Sequence, residues 1–106
     1  MSLPDLKGLI ETAQKIQAEV ARVREELGAK IVEGETGGGL VRCVASGRGE
    51  VVSISIDPSV AGDRKMIEDL VVGAVNIALE RARDLAQNDF SRVTGGLPLP
   101  PGMFGS

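Results

Sequence analysis

Basic side chains are the residues of this sequence whose type and spacing could do chemistry, because lysine and arginine hold phosphate groups through charge and hydrogen bonds. Nine of the 12 basic residues in the 106-residue chain fall in two predicted helices, and five of these nine are candidates for contact with a phosphate backbone. The first two are two helical turns apart, which places them on one outer face. The candidate phosphate contacts are Lys15, Arg22, Arg24, Arg81 and Arg83.

The charge balance argues against strong binding to nucleic acid. The 15 acidic residues give a net charge of −3 and a pI of about 4.9, whereas duplex-binding domains usually have a basic patch and a pI above about 9. Pairs four residues apart, such as Glu11 with Lys15 and Glu26 with Lys30, predict a solvated helix that carries ion pairs. From the residues alone, phosphate contact and simple surface pairing both stay open.

Catalytic and metal-binding chemistry is disfavoured. The sequence has no histidine, tyrosine or tryptophan and no carboxylate pair recognisable by spacing, so it offers no acid–base constellation. The single cysteine, Cys43, lies in the apolar run Leu40–Ala45 and is predicted to be a buried structural thiol. We expect no enzyme, cofactor, metal or small-molecule substrate. No apolar run approaches the roughly 20 residues that span a bilayer, so no membrane contact is expected.

The run Gly37-Gly38-Gly39 is the one motif that suggests a phosphate loop. A P-loop needs a Lys-Ser or Lys-Thr pair and a helix after its glycines, but this run leads into Leu40 and Val41 on a predicted strand. A tight turn with positive φ at one or more glycines explains the run. Nucleotide binding is therefore not expected.

Apolar residues recur every three or four positions in the first segment. This pattern predicts a helix over about residues 4–27, with Gly28 as its stop. The stripe is as narrow as the a/d seam of helices that pack against another helix. Its partner could be the C-terminal helix or a second copy of the chain. The seam consists of Leu6, Leu9, Ala13, Ile16, Val20, Val23 and Leu27.

Between residues 30 and 57 the period changes to two, which predicts a three-stranded antiparallel meander with glycine-containing turns. The predicted strands are 31–36, 40–46 and 51–56. In the third strand, Val52, Ile54 and Ile56 share one face, which we expect the helices to bury. The open edges of so small a sheet make pairing with a second copy physically reasonable.

A long helix is predicted from its N-cap, Asp63, to about Val93. Its first half, residues 66–79, is apolar around most of its circumference and should be buried on two sides. Beyond Glu80 the helix turns polar, and we expect this end to project from the body. A tail rich in glycine and proline, residues 95–106, cannot continue the helix.

Six short runs, in order along most of the chain, resemble the YbaB/EbfC family. Their joint order makes the resemblance specific. The runs are residues 13–17 (AQKIQ), 34–41 (GETGGGLV), 56–59 (IDPS), 68–71 (EDLV), 74–78 (AVNIA) and 97–102 (LPLPPG).

The residues and the resemblance together predict one α+β domain over residues 1–94, followed by the tail. The resemblance implies a tweezer-like homodimer with projecting helices, in a bacterial nucleoid-associated protein of the cytoplasm and nucleoid. It also implies binding of double-stranded DNA with little sequence specificity, in which the five basic residues named above would hold the duplex backbone. The alternative is a dimeric protein-interaction or assembly module without direct DNA binding, which fits the acidic pI better.

Overall fold

The computed structural model describes residues 3–93, with side-chain surroundings from residue 6 onward, and the predicted tail lies outside these residues. A helix, three strands and a second helix follow in the predicted order, so the α+β fold is confirmed. The domain boundary at residue 94 stays a prediction. The elements are α1 (Leu3–Ala29), β1 (Ile31–Thr36), β2 (Val41–Ser46), β3 (Val51–Ile56), a 3₁₀ turn (Pro58–Val60) and α2 (Arg64–Val93).

α1 continues past its predicted stop to Ala29, and Gly28 lies inside the helix. The reason is a side chain from the turn between β2 and β3. The guanidinium of Arg48 lies so close that a Cβ at Gly28 would be 2.9 Å from its Cζ. Its Nε donates a hydrogen bond of 2.9 Å to the carbonyl oxygen of Arg24, and a cation at this end suits the helix dipole. The glycine therefore makes room for an arginine instead of ending the helix.

The sheet is the predicted meander, with β2 in the middle and both strand pairs antiparallel. Gly37, Gly38 and Gly39 form the first turn with φ of 64°, 70° and 95°. The prediction of a turn with positive φ is therefore confirmed, and the left-handed backbone explains why glycines stand there. On the polar face of the sheet, Arg42 lies 2.8 Å from the carboxylate of Glu35.

The main core lies between α2 and the first two strands. Val41, Cys43 and Ala45 of β2 are completely buried, and they pack in one cluster with Ala74 and Ala78 of α2. Burial raises the pKa of the Cys43 thiol. The prediction of a buried structural thiol is confirmed.

A glycine on β1 brings α2 over this side of the sheet. A Cβ at Gly34 would lie 2.6 Å from the nitrogen of Ala78 and closer still to the carbonyl oxygen of Ala74, so only glycine permits this approach. At the end of β1, the hydroxyl of Thr36 donates a hydrogen bond of 2.7 Å to the carbonyl oxygen of Leu70. These contacts hold α2 above β1 and β2.

β3 is left uncovered, and the prediction that helices bury its apolar face is wrong. All six of its residues are exposed, including Val52 at 61% and Ile54 at 41%. Ile54 lies opposite the buried Cys43 in the sheet register, so the apolar side chains of β3 share the face on which α2 packs. They stay exposed because α2 lies above the other two strands.

The C-terminal half of α1 packs against the end of α2 in a second, smaller core. Val23 and Leu27 are buried there with Phe90 of α2, and Val20 and Val93 pack at its margin. This core covers only the second half of the predicted seam. The seam prediction is therefore confirmed for this half, with α2 as the partner helix.

A buried carboxylate ties the same region together. Asp89, whose side chain is 8% exposed, accepts a hydrogen bond of 2.7 Å from Nζ of Lys30, and Nη1 of Arg92 lies 3.7 Å from its other oxygen. Lys30 thus pairs with Asp89 of α2. The predicted pair of Lys30 with Glu26 is wrong, because α2 brings a carboxylate that the local spacing does not include.

The part of the molecule that projects is the N-terminal half of α1. Every residue from 6 to 19 is exposed, as expected of a helix that extends beyond the body. The second half of α2 packs on α1 through a thin apolar stripe, with Phe90 buried against Val23 and Leu27. That this end of α2 projects from the body stays a prediction.

Candidate nucleic-acid interface

Arg22 is held between two carboxylates on α1. Its guanidinium lies 2.6 Å from an oxygen of Glu19 and 2.6 Å from an oxygen of Glu26. Arg22 donates hydrogen bonds to both carboxylates, and these bonds, together with the negative charges, raise the pKa of Arg22. The charge of Arg22 is already balanced locally, so a phosphate must displace a glutamate before it can form a close charged hydrogen bond.

Lys15 and Arg24 are the predicted α1 contacts whose positive charge is not neutralised by a described carboxylate. Both are exposed, and the described residues offer neither of them a carboxylate within 4.0 Å, so the predicted pair of Lys15 with Glu11 is not formed. Lys15 lies on the projecting half of α1, about 10 Å before Arg22 along the same face. Arg24 lies nine residues after Lys15, on nearly the opposite side of the helix.

Arg81 of α2 lies beside the sheet and not on a free helix end. Nη1 of Arg81 donates a hydrogen bond of 2.6 Å to the carbonyl oxygen of Glu33 on β1. Arg83 is exposed and faces another side of α2, since residues two apart on a helix are about 200° apart. The five predicted residues therefore occupy different sides of two helices.

A groove of this region lies between α1 and α2, and the charges that line it cancel. Three cations and three carboxylates line it, so it gives a phosphate no net attraction. The outer surface of α1 is the better candidate for contact with a duplex. The charged residues of the groove are Arg22, Lys30, Arg92, Glu19, Glu26 and Asp89.

A metal centre and a membrane-spanning helix are both lacking in the part of the chain that the structure describes. There, no three side chains of histidine, cysteine, aspartate or glutamate are grouped so that they could hold a metal ion. Neither described helix combines the length and apolar character needed to cross a membrane.

Comparison with known proteins identifies the family. The model of the YbaB/EbfC DNA-binding family matches residues 1–97 of the sequence. The chain belongs to this family. Nucleoid-associated protein TTE0040 of Caldanaerobacter subterraneus subsp. tengcongensis is 43% identical over 102 residues, which cover 94% of this chain and 91% of the relative. Nucleoid-associated protein BAV0915 of Bordetella avium is 46% identical over 99 residues, or 92% of each chain.

A solved structure shares the fold of this YbaB/EbfC family member. The crystal structure of the uncharacterized protein HP0035 from Helicobacter pylori matches it with a TM-score of 0.70 and 25% sequence identity. The match covers 83% of this chain and 91% of that chain. The helix–meander–helix architecture is therefore shared with a protein whose sequence differs at most positions.

Sequence reasoning about this YbaB/EbfC chain missed Arg48 as part of the α1 surface. Its side chain reaches the helix turn that carries Arg24 and brings a second cation to the junction of α1 with the sheet. No helical or strand period connects residues 24 apart, so the sequence offered no signal for this contact. The pairing of Arg22 did have a signal, because Glu19 and Glu26 stand three and four residues away.

Proposed function

We propose that this protein is a nucleoid-associated protein that binds double-stranded DNA as a homodimer, with little sequence preference, through basic residues on its helices. The observation that carries the proposal is the match of a DNA-binding family over residues 1–97. The names of the relatives from C. subterraneus and B. avium support the nucleoid as its place in the cell.

Uncovered apolar surface supports the homodimer. Val52, Ile54 and Ile56 of β3 are exposed, and so is Val72 of α2. On a helical wheel Val72 and the half-buried Val75 lie on the side of α2 turned away from β1 and towards β3. We call these five residues the β3–α2 strip.

A second copy is the occupant that suits this strip. β3 is an edge strand of the sheet, and exposed apolar edge strands tend to associate. A two-fold axis would place the same strip on both sides of the contact, so each copy would cover the other. Sedimentation at micromolar concentration should give twice the chain mass of 11.1 kDa. A mass of 11.1 kDa at all concentrations would contradict the homodimer.

The proposed DNA contacts differ in expected strength. Lys15 and Arg24 contribute most, because no carboxylate of the described chain neutralises them. Arg22 contributes less, because a phosphate competes with two glutamates for it. Arg81 and Arg83 would reach the backbone from α2. Phosphate contacts carry no sequence information, which accounts for the low sequence preference.

Fluorescence anisotropy with a labelled duplex of about 30 base pairs tests DNA binding, at about 20 mM and about 150 mM salt. We expect saturable binding in the micromolar range that weakens as salt increases, since phosphate contacts release counterions. An affinity that stays the same at both salt concentrations would exclude the phosphate mechanism. No binding at either salt concentration, with the dimer verified, would exclude direct DNA binding.

Charge reversal locates the interface. The double variant Lys15→Glu/Arg24→Glu should weaken binding by about tenfold or more at low salt. Arg64→Glu/Lys65→Glu is the matched control, because it changes net charge equally at exposed positions of α2 that already pair with carboxylates. Equal losses in both variants would mean that total charge matters and that the α1 residues form no specific contact.

One observation favours the second candidate, an assembly module. The projecting half of α1 exposes Leu9 and Ile16, and a DNA duplex would not cover apolar side chains in a polar phosphate interface. A stoichiometric protein partner from a nuclease-treated lysate, together with no DNA binding at low salt, would favour the assembly module.

A further inference from the structure

An apolar stripe on the projecting half of α1 has no cover among residues 6–93. It consists of Leu6, Leu9, Ala13 and Ile16, and we call it the α1 stripe. Leu9 is 57% and Ile16 49% exposed, whereas Val23 of the same seam is 4% exposed. The seam is continuous in the sequence, but α2 covers only its second half.

The C-terminal end of α2 points towards this stripe. It runs antiparallel to α1, because Asp89 contacts Lys30 while Val93, the last described residue, shares a groove with Glu19 and Val23. The chain therefore leaves α2 beside the point where the cover of the seam ends.

Residues 94–106 have the composition and length to cover the stripe. They contain no charged side chain, in a chain whose residues are 25% charged, so packing their side chains on an apolar surface removes no ionised side chain from water. Thirteen residues in a polyproline conformation span about 40 Å, and the distance along α1 from the Val20 level to Leu6 is about 21 Å. The large apolar residues of this segment are Leu97, Leu99, Met103 and Phe104.

We propose that residues 94–106 pack along the α1 stripe of their own chain and cover its apolar side chains. This contact extends the α1–α2 core to the helix tip and does not depend on DNA binding. Lys15 lies more than about 100° around α1 from the centre of the stripe. The packed segment therefore leaves the proposed phosphate contact open.

Hydrogen exchange in the full chain tests the proposal. The variant Leu97→Gln/Leu99→Gln/Phe104→Gln should speed amide exchange in residues 6–16 by about tenfold, because the lost cover lowers the local opening free energy. Residues 41–46 should not change. The matched control Thr94→Gln/Gly105→Gln/Ser106→Gln keeps the apolar side chains and should keep the original rates. Equal exchange in both variants would overturn the proposal.

The reverse variant, Leu9→Gln/Ile16→Gln, alters exposed positions only and leaves the described cores intact. It should move the methyl NMR signal of Met103 to its random-coil position, and an unmoved signal would overturn the proposal. In mixed dimers, a labelled variant chain beside an unlabelled unaltered chain should show the same shift. Retention of the original signal there would assign the segment to the partner's stripe and overturn packing within one chain.

Two other occupants would give different results. If a second copy covers the stripe, residues 6–16 stay protected in the Leu97→Gln/Leu99→Gln/Phe104→Gln variant, and their protection falls on dilution. If another protein covers it, residues 6–16 of the isolated unaltered chain exchange as fast as those of the variant. Either result overturns the proposal.

Discussion

β2 and β3 are neighbouring strands of equal length and similar apolar pattern, yet β2 is largely buried and β3 is exposed throughout. Cys43 has no accessible surface, whereas its partner across the ladder, Ile54, is 41% exposed. The difference arises in the helix above them, because Gly34 lets α2 approach β1 closely. An apolar strand face thus predicts that something covers it, and the position of the helix determines whether the same chain does so.

α1 repeats the contrast along a single helix. Val23 and Leu27 are buried under the end of α2, while Leu9 and Ile16, on the same seam, are exposed. In both places the covered part belongs to the folded chain, and we infer that the uncovered part belongs to a further contact. Substitutions in the covered regions should therefore lower stability, whereas those in uncovered regions should change association.

The largest effect should come from closing the space under α2. Gly34→Val places methyl groups where the backbone of α2 lies and should lower the free energy of unfolding by about 3 kcal/mol or more. Urea unfolding followed by circular dichroism measures it. Gly62→Ala is the control, because nothing lies within 4 Å of its Cβ position. Equal stability of the two variants would contradict the close packing of α2 on β1.

The uncovered strand should respond differently. Ile54→Glu adds a charge to the β3–α2 strip and should raise the dimer dissociation constant about 100-fold, as loss of a central interface residue does. The monomer should stay folded, because this side chain is already accessible. Ser53→Glu, on the other face of β3, should leave the dimer intact. Sedimentation that shows equal dissociation of both variants would exclude the strip as the interface.

A smaller effect is expected where α1 joins α2. Asp89→Ala removes a buried carboxylate from Lys30 and Arg92 and should cost about 1–2 kcal/mol of stability. Asp69→Ala is its control, since Asp69 pairs with Lys65 at the exposed surface and should cost less than about 0.5 kcal/mol. If thermal unfolding shows similar losses of stability in the two variants, burial does not increase the contribution of the Asp89 ion pair to stability.

The smallest effect concerns the buried thiol of β2. Burial raises the pKa of Cys43 above its ordinary value of 9.0, so the unfolded chain releases this proton first. Its contribution to stability is complete below pH 9.0 and is lost as pH rises towards the folded pKa. Between about pH 8 and 10, the stability of the unaltered protein should fall more steeply than that of Cys43→Ala. Parallel slopes in urea unfolding would contradict the raised pKa.

The elements were predictable because their signals are local. The glycine run specified the first turn, and Asp63 capped α2 as expected, with its carboxylate accepting a hydrogen bond of 3.1 Å from the N–H of Met66. Contacts between distant residues had no such signal. The pairs of Lys30 with Asp89 and of Arg48 with the Arg24 carbonyl join residues 59 and 24 apart, beyond the range of any helical or strand period.

The residues of the candidate interface were predictable from the sequence, but the contacts that these residues make were not. The exposure of Lys15 and Arg24 agrees with their positions outside the seam, whereas the place of Arg81 beside β1 depends on how α2 packs. An exposed cation and a hydrogen-bonded one look alike in a sequence. Their different availability to phosphate appears only when neighbouring elements are in place.

The sequence by itself determined the strands, the helices, the turns and the family, because period, glycine placement and motif order act over short distances. Only the tertiary structure decided which apolar surfaces the chain covers. A single helix lying close above Gly34 covers β1 and β2 but cannot also cover β3, and the end of α2 covers half of the α1 seam. The width and length of one helix set that limit.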